Sequence, residues 1–280
     1  MITLTAPAKI NLSLDVVNKR ADGYHNLKMI MAEIPLYDVI TAEKSDTINL
    51  KTNLSFLPEN KKNTVYKAAL EFFDYTKIQG GVNIHVQKNI PVSAGLAGGS
   101  TDAAAALKAL NLLYNAKLSQ DELEKIGDKV GKDVPFCIRG GVALAEGTGD
   151  KLTNLKALPP CYILLIKPSK INVSTKMVFE NFSAGKIELH PDTDGIIKAL
   201  AEQNLSEISR RMYNVLEDVT AKLYPKIHEL KTAFIENGAI GTVMSGSGPS
   251  VFGIFDNAYT AETALKYFKG IDKQSYLLKL

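Results

Sequence analysis

The chain has 280 residues, 45% of them hydrophobic and 22% charged, a balance that supports a buried core and argues against disorder or a fibre. Its 33 lysines and arginines against 30 aspartates and glutamates leave only +3, and no basic block is long enough for a nucleic-acid tail. Two cysteines, Cys137 and Cys161, and four scattered histidines argue against a disulfide scaffold or a structural zinc site. No run of about 18 apolar residues occurs, and the first residues lack the basic-then-apolar order of a signal peptide, so a cytoplasmic protein is expected.

Residues 9–16 alternate strictly, with Lys9, Asn11, Ser13 and Asp15 polar and Ile10, Leu12, Leu14 and Val16 apolar. A period of two predicts a strand with one buried face and with Lys9 and Asn11 together on the other. Asp22-Gly23 is a turn signal, followed by Tyr24 and His25. Val82, Ile84 and Val86 predict a second strand, which leads into a Gly-rich segment. Ser100, Thr101 and Asp102 then open a helix that carries Ala103, Ala106, Leu107, Leu110 and Leu113 at helical spacing. Ser119 to Glu122 is a capping box. Strands are expected at 140–145, 162–166 and 251–255, and helices at 174–181, 193–203 and 224–237, the last stopped by Gly238. The mixture lacks even strand–helix alternation, which predicts an α+β fold. Leu158-Pro159-Pro160 marks the boundary between two expected domains, 1–157 and 158–280.

The segment Pro91-Val92-Ser93-Ala94-Gly95-Leu96-Ala97-Gly98-Gly99-Ser100-Thr101 carries the most chemistry. Glycines let the backbone approach a ligand, and the following helix offers unpaired N–H groups and a favourable dipole to an anion. The hydroxyls of Ser100 and Thr101 could touch phosphate oxygens or a magnesium ion. Neither the Walker pattern nor Gly-x-Gly-x-x-Gly is present, so this is a different kind of phosphate loop. Phosphoryl transfer to an alcohol also needs charge neutralisation and a group to orient or deprotonate the hydroxyl. Lys9, and Asp133 in Asp133-Val134-Pro135-Phe136, are candidates of the right type. Tyr24 offers a planar ring for stacking a base and His25 an imidazole to hydrogen-bond its edge, while Thr175 and Phe179 share a helical face. Met244 to Ser250 forms a second Gly-rich loop, placed to shape an acceptor pocket if it packs beside the first.

Taken in order, Ala6-Pro7-Ala8-Lys9-Ile10-Asn11-Leu12, the 91–101 loop and the 244–253 segment resemble the GHMP kinase superfamily. Asp22-Gly23-Tyr24-His25-Asn26-Leu27 and Asp133-Val134-Pro135-Phe136 narrow the match to its members that act on a cytidine diphosphate-linked polyol. The resemblance implies a ribosomal-protein-S5-like N-terminal domain and a ferredoxin-like C-terminal domain. It implies ATP and Mg2+ as cofactors, with Lys9 and Asp133 as the catalytic pair. Residues 91–101 would hold the ATP phosphates with Lys88 nearby. Tyr24, His25 and Phe179 would hold cytosine, and Asn11 and Thr175 would line the acceptor pocket. It implies a small-molecule substrate, no nucleic acid or membrane partner, and a monomer or weak homodimer. Homoserine, mevalonate or a sugar are the alternative acceptors, and an S5-like RNA-binding module is the non-catalytic alternative. Two positions depart from the pattern. Ala97 stands where glycine is usual, and Lys132 precedes Asp133, where a nearby ammonium would lower the aspartate's basicity.

Overall fold

The computed structural model describes residues 1–182 and 189–280. The chain forms two compact units: Met1–Ala8, Leu36–Val92 and Ala97–Gly140 in the first, and Lys9–Pro35, Ser93–Leu96 and Gly141–Leu280 in the second. Two long strands, β1 (Ile2–Lys19) and β2 (His25–Ser45), contribute residues to both.

In the first unit, β3 (Asn49–Thr52) runs parallel to β4 (Gly81–Gln87), which pairs antiparallel with residues 39–45 of β2. Four helices pack together there: α1 (Thr64–Thr76), α2 (Gly98–Leu113), α3 (Gln120–Val130) and α4 (Val134–Arg139). Helix α2 buries Ala103 to Ala106, Leu107, Ala109 and Leu110, and its small side chains let α1 and α4 approach closely. The expected capping box starts α3: Ser119 accepts from the Glu122 N–H while the Glu122 carboxylate accepts from the Ser119 N–H.

In the second unit, residues 27–32 of β2 pair with β5 (Val142–Gly147), which pairs with β6 (Lys151–Asn154). A second sheet is formed by β7 (Tyr162–Ile166), β9 (Gly241–Met244), β10 (Val251–Phe255) and β11 (Ser275–Lys279). Between β7 and β9 lie α5 (Thr175–Asn181), α6 (Thr193–Ala201), α7 (Leu205–Arg211), the short strand β8 (Tyr213–Asn214), α8 (Val215–Leu223) and α9 (Lys226–Glu236). Helix α10 (Ala258–Ile271) links β10 to β11. The order β11-β7-β10-β9, antiparallel throughout, is the fourth-first-third-second arrangement of a ferredoxin-like sheet. Every residue of β10 is buried, and Phe234, Phe252, Phe255 and Phe268 form the centre of this core. Among the described residues no helix is long and apolar enough to cross a membrane.

Three expectations change. The polar face of β1 is not at the surface: Lys9, Asn11 and Ser13 are all buried, and on that face Asn11 meets the Lys9 ammonium and the Met29 sulfur. Helix α2 starts at Gly98 rather than at Ser100, its N-cap being Ala97 in a left-handed conformation (φ 57°). The strand expected from 140 begins at Val142, because Gly140 and Gly141 both take positive φ and form a turn.

Candidate active site

The glycine-rich segment links β4 to α2, and its two halves have different tasks. Ala94 and Leu96 are buried and anchor it, while Gly95 turns with φ 75°. A methyl group on Gly95 would overlap the Ser245 carbonyl oxygen, so glycine is required there for space as well as for conformation. From Ala97 onward the chain enters α2, with the Ser100 and Thr101 N–H groups donating to the Ala97 carbonyl, each at 2.9 Å. The N–H groups of Gly98 and Gly99, in the first turn, have no acceptor within the helix and are suited to an anion. The Thr101 hydroxyl is buried and donates to the Pro7 carbonyl at 2.7 Å, which ties α2 to the start of β1. Ser100 is therefore the better placed of the two hydroxyls to meet phosphate.

Under this helix start lies a buried charge cluster. The Lys88 ammonium donates to Asp102 at 2.7 Å and also to Asp38. Asp38 also accepts the Asn89 and Ile90 N–H groups, at 2.5 and 2.8 Å. Two carboxylates around one ammonium carry an excess negative charge in a dry site. Burial, only partly offset by Lys88, pushes the Asp102 carboxyl up to about 8. A side chain on Gly98 would lie 3.2 Å from the Lys88 Nζ, so the ammonium sits directly beneath the helix start. Neither Asp38 nor Asp102 is conspicuous in sequence as a charge partner, because Asp38 is 50 residues from Lys88.

In the second unit the two Gly-rich loops meet. The Ser245 hydroxyl donates to the Gly95 carbonyl at 3.0 Å and accepts the Asn11 N–H at 3.3 Å. The Thr175 and Ser247 hydroxyls lie 2.8 Å apart. Together with Ser93, Gly95, Ser174 and Gly248 they line a cavity of about 510 Å³ whose walls are mostly hydroxyls and backbone. The loop around Ser245 thus packs beside Gly95, one of the two arrangements its composition left open. The roles of Ser245 and Ser247 were not legible, since serine in a Gly-rich turn is common.

Lys9 leaves β1 at the same place. Its N–H donates to the Leu96 carbonyl at 3.2 Å, and its ammonium, almost fully buried, donates to the Asn11 side-chain oxygen at 2.8 Å. Asp133, at the N-cap of α4, belongs to the first unit and is half-buried. The neighbouring Lys132 ammonium is held by Asp128 at 2.8 and 3.0 Å, which draws its charge toward the preceding turn of α3.

The aromatic group is also assembled. The His25 ring stacks on Phe179 with centroids 5.1 Å apart and meets Phe182 edge-on, while Tyr24 beside it is exposed. Burial and the nearby Lys19 lower the His25 pKa and favour its neutral form, which can both donate and accept. A separation of 5.1 Å is direct ring contact, so no base fits between these two rings as they stand.

Comparison with known proteins places the chain. The family model described as "GHMP kinases N terminal domain" matches residues 63–141, and that described as "GHMP kinases C terminal" matches residues 196–270. The chain belongs to the GHMP kinases, a family of small-molecule kinases. It is 51% identical to the 4-diphosphocytidyl-2-C-methyl-D-erythritol kinase of Clostridium novyi (strain NT), with 98% of each chain covered. The crystal structure of a 4-(cytidine 5'-diphospho)-2C-methyl-D-erythritol kinase superimposes with a TM-score of 0.84 at 31% identity, over 99% of this chain and 98% of that one. A homoserine kinase from Cytophaga hutchinsonii shares the fold at a TM-score of 0.81 and 23% identity, over 99% and 94% of the two chains.

Proposed function

We propose that this chain transfers the γ-phosphoryl group of ATP to the 2-hydroxyl of 4-diphosphocytidyl-2-C-methyl-D-erythritol, in the non-mevalonate route to isoprenoid precursors. The observation that carries the acceptor is the 51% identity over 98% of the chain to a kinase of that name. The fold alone does not choose an acceptor, since a homoserine kinase shares it. The grouped Tyr24, His25 and Phe179 agree with a nucleobase-bearing acceptor.

In this reading the residues 91–101 hold the ATP phosphates, chiefly through backbone N–H groups, with Lys88 acting from beneath the helix start. Lys9 neutralises charge that develops on the transferring group, and Asn11 fixes its ammonium. Asp133 orients the acceptor hydroxyl and takes its proton as the oxygen bonds to phosphorus and the bond to the leaving ADP breaks. Asn11 and Thr175 line the acceptor pocket, and Tyr24 and Phe179 stack on cytosine while His25 meets its edge. Among the described residues no group of three or more His, Cys, Asp or Glu could hold a metal. Mg2+ would be carried by the ATP phosphates, with the Ser100 hydroxyl as a candidate protein ligand, and it would supply charge neutralisation. The domains are read as 1–157 for ATP and 158–280, and the two family models fall on either side of that boundary. The protein is read as a cytoplasmic monomer or weak homodimer with no nucleic-acid or membrane partner.

The test is ADP release measured with the cytidylated acceptor, homoserine, mevalonate and galactose in parallel. Turnover with the first alone is expected. Turnover only with an acceptor that carries no cytidine would overturn the reading.

A further inference from the structure

The first turns of α8 point three polar side chains at one loop. Asn214, Glu217 and Thr220 are spaced by three, so they lie along one face of the helix. All three are buried. The Asn214 amide nitrogen donates to the Met244 carbonyl at 2.8 Å and to the Gly246 carbonyl at 2.7 Å, while its oxygen accepts the Leu216 N–H at 3.0 Å as the helix cap. One Glu217 oxygen accepts the Met244 N–H at 2.8 Å, and the other pairs with Lys231. The Thr220 hydroxyl lies 3.2 Å from the Ser247 carbonyl. Four of these bonds, two from Asn214 and one each from Glu217 and Thr220, go to the backbone of residues 244–247, just where Ser245 grips Gly95 and Ser247 meets Thr175 at the cavity.

We propose that Asn214 is a positioning residue of the kinase: it fixes the backbone of residues 244–246 so that Ser245 holds the Gly95 turn in its phosphate-binding shape, with Glu217 and Thr220 bracing the same loop. Neither the Gly-rich loops nor the aromatic group would reveal this, because Asn214 touches no ligand surface and is 30 residues from Met244. A buried amide with all its hydrogen-bonding groups engaged is replaced only at the cost of leaving two carbonyls unpaired. The proposal rests on the reading of residues 91–101 as the ATP phosphate site, but not on the identity of the acceptor.

Two variants separate the loop role from the cap role. Asn214→Ser and Asn214→Asp both keep a side-chain oxygen able to cap α8. Serine replaces the two-proton amide with a single, shorter hydroxyl that cannot serve both carbonyls, and aspartate removes the donor and sets an oxygen against them. Affinity for a non-hydrolysable ATP analogue and for AMP is measured by calorimetry and competition, without any acceptor. A loss of roughly ten-fold or more is expected for the ATP analogue, larger in the aspartate variant, with AMP affinity nearly unchanged. A merely structural role would lower the melting temperature and weaken both ligands together, or neither. Either of those results overturns the proposal. If the aspartate variant fails to fold, the serine variant and Thr220→Val carry the test, the latter with the same selective loss on a smaller scale. Failure of the wild type to phosphorylate the cytidylated acceptor would sink the acceptor reading and leave this one standing.

Discussion

Lys88 donates to Asp102 at 2.7 Å although both side chains are almost wholly removed from water, and the second Asp102 oxygen finds no partner among the described residues. Burial outweighs the attraction of Lys88 and, with the neighbouring Asp38 carboxyl adding to it, pushes the Asp102 carboxyl up to about 8. An unfolded aspartate titrates near 4, so between about pH 4 and 8 the folded state holds the extra proton. This contribution to stability is fully present below pH 4 and is lost as pH rises toward 8. Urea melts at pH 5.5, 7 and 8.5 are expected to show wild-type stability falling with pH, and Asp102→Asn falling less steeply. Equal slopes in the two proteins would mean that Asp102 is ionised throughout.

Lys9 and Asp133 carry the chemistry in the proposed reaction. Lys9→Ala removes the ammonium that Asn11 fixes, and Asp133→Ala removes the proton acceptor. Each is expected to lower kcat by about 10²–10⁴-fold, the range for a positioned acid or base. ATP affinity, measured separately, should change little, because the phosphate grip comes from backbone amides. A variant with near-normal turnover would drop that residue from the mechanism.

Local pattern made some of this legible and left the rest hidden for identifiable reasons. The Ser119–Glu122 box, the strand at Tyr162–Ile166 and the stop at Gly238 are written in adjacent residues, and they form as expected. The Gly-rich turn before α2 was visible because three glycines in five residues exceed what a turn needs. The start of α2 was misjudged by two residues because good capping side chains do occur at Ser100 and Thr101, yet the Ala97 backbone ends the turn first. The buried state of Lys9 and Asn11 could not be read from alternation, which says that two faces differ but not that both are covered. Asp38, Asn214 and Glu217 were invisible because each acts on residues dozens of positions away. Only spacing offers a hint: Asn214, Glu217 and Thr220 at intervals of three, ahead of a Gly/Ser loop, describe one polar stripe on the buried face of the helix.

The aromatic cluster makes a separable prediction. Tyr24 is exposed and Phe179 is half-covered by His25, so a bound cytosine would add stacking area on both. Stacking of a base on an aromatic ring contributes about 1–3 kcal/mol. Tyr24→Ala and Phe179→Ala should each raise KM for the cytidylated acceptor by roughly five-fold to a hundred-fold, while KM for ATP stays within about two-fold. Kinetics with each substrate varied in turn decide it. A rise confined to the ATP constant would reverse the assignment of the two ends of the site.

Two positions of the phosphate loop should respond to substitution with opposite signs. At Gly95 an added methyl runs into the Ser245 carbonyl while the backbone sits at φ 75°, so neither the side chain nor the turn can yield without opening the contact between the two loops. Gly95→Ala is therefore expected to cost at least ~2 kcal/mol of stability and to abolish measurable ATP affinity. Ala97 also lies in the left-handed region, at φ 57°, where an L-residue is disfavoured by about 1–2 kcal/mol. Ala97→Gly relieves that strain and adds backbone freedom to the unfolded chain worth about 0.5–1 kcal/mol, so a net gain between zero and about 1.5 kcal/mol remains. Calorimetric melting should place Ala97→Gly at or a few degrees above the wild type and Gly95→Ala well below it. A destabilised Ala97→Gly would mean that the alanine methyl makes a packing contribution larger than the strain it imposes.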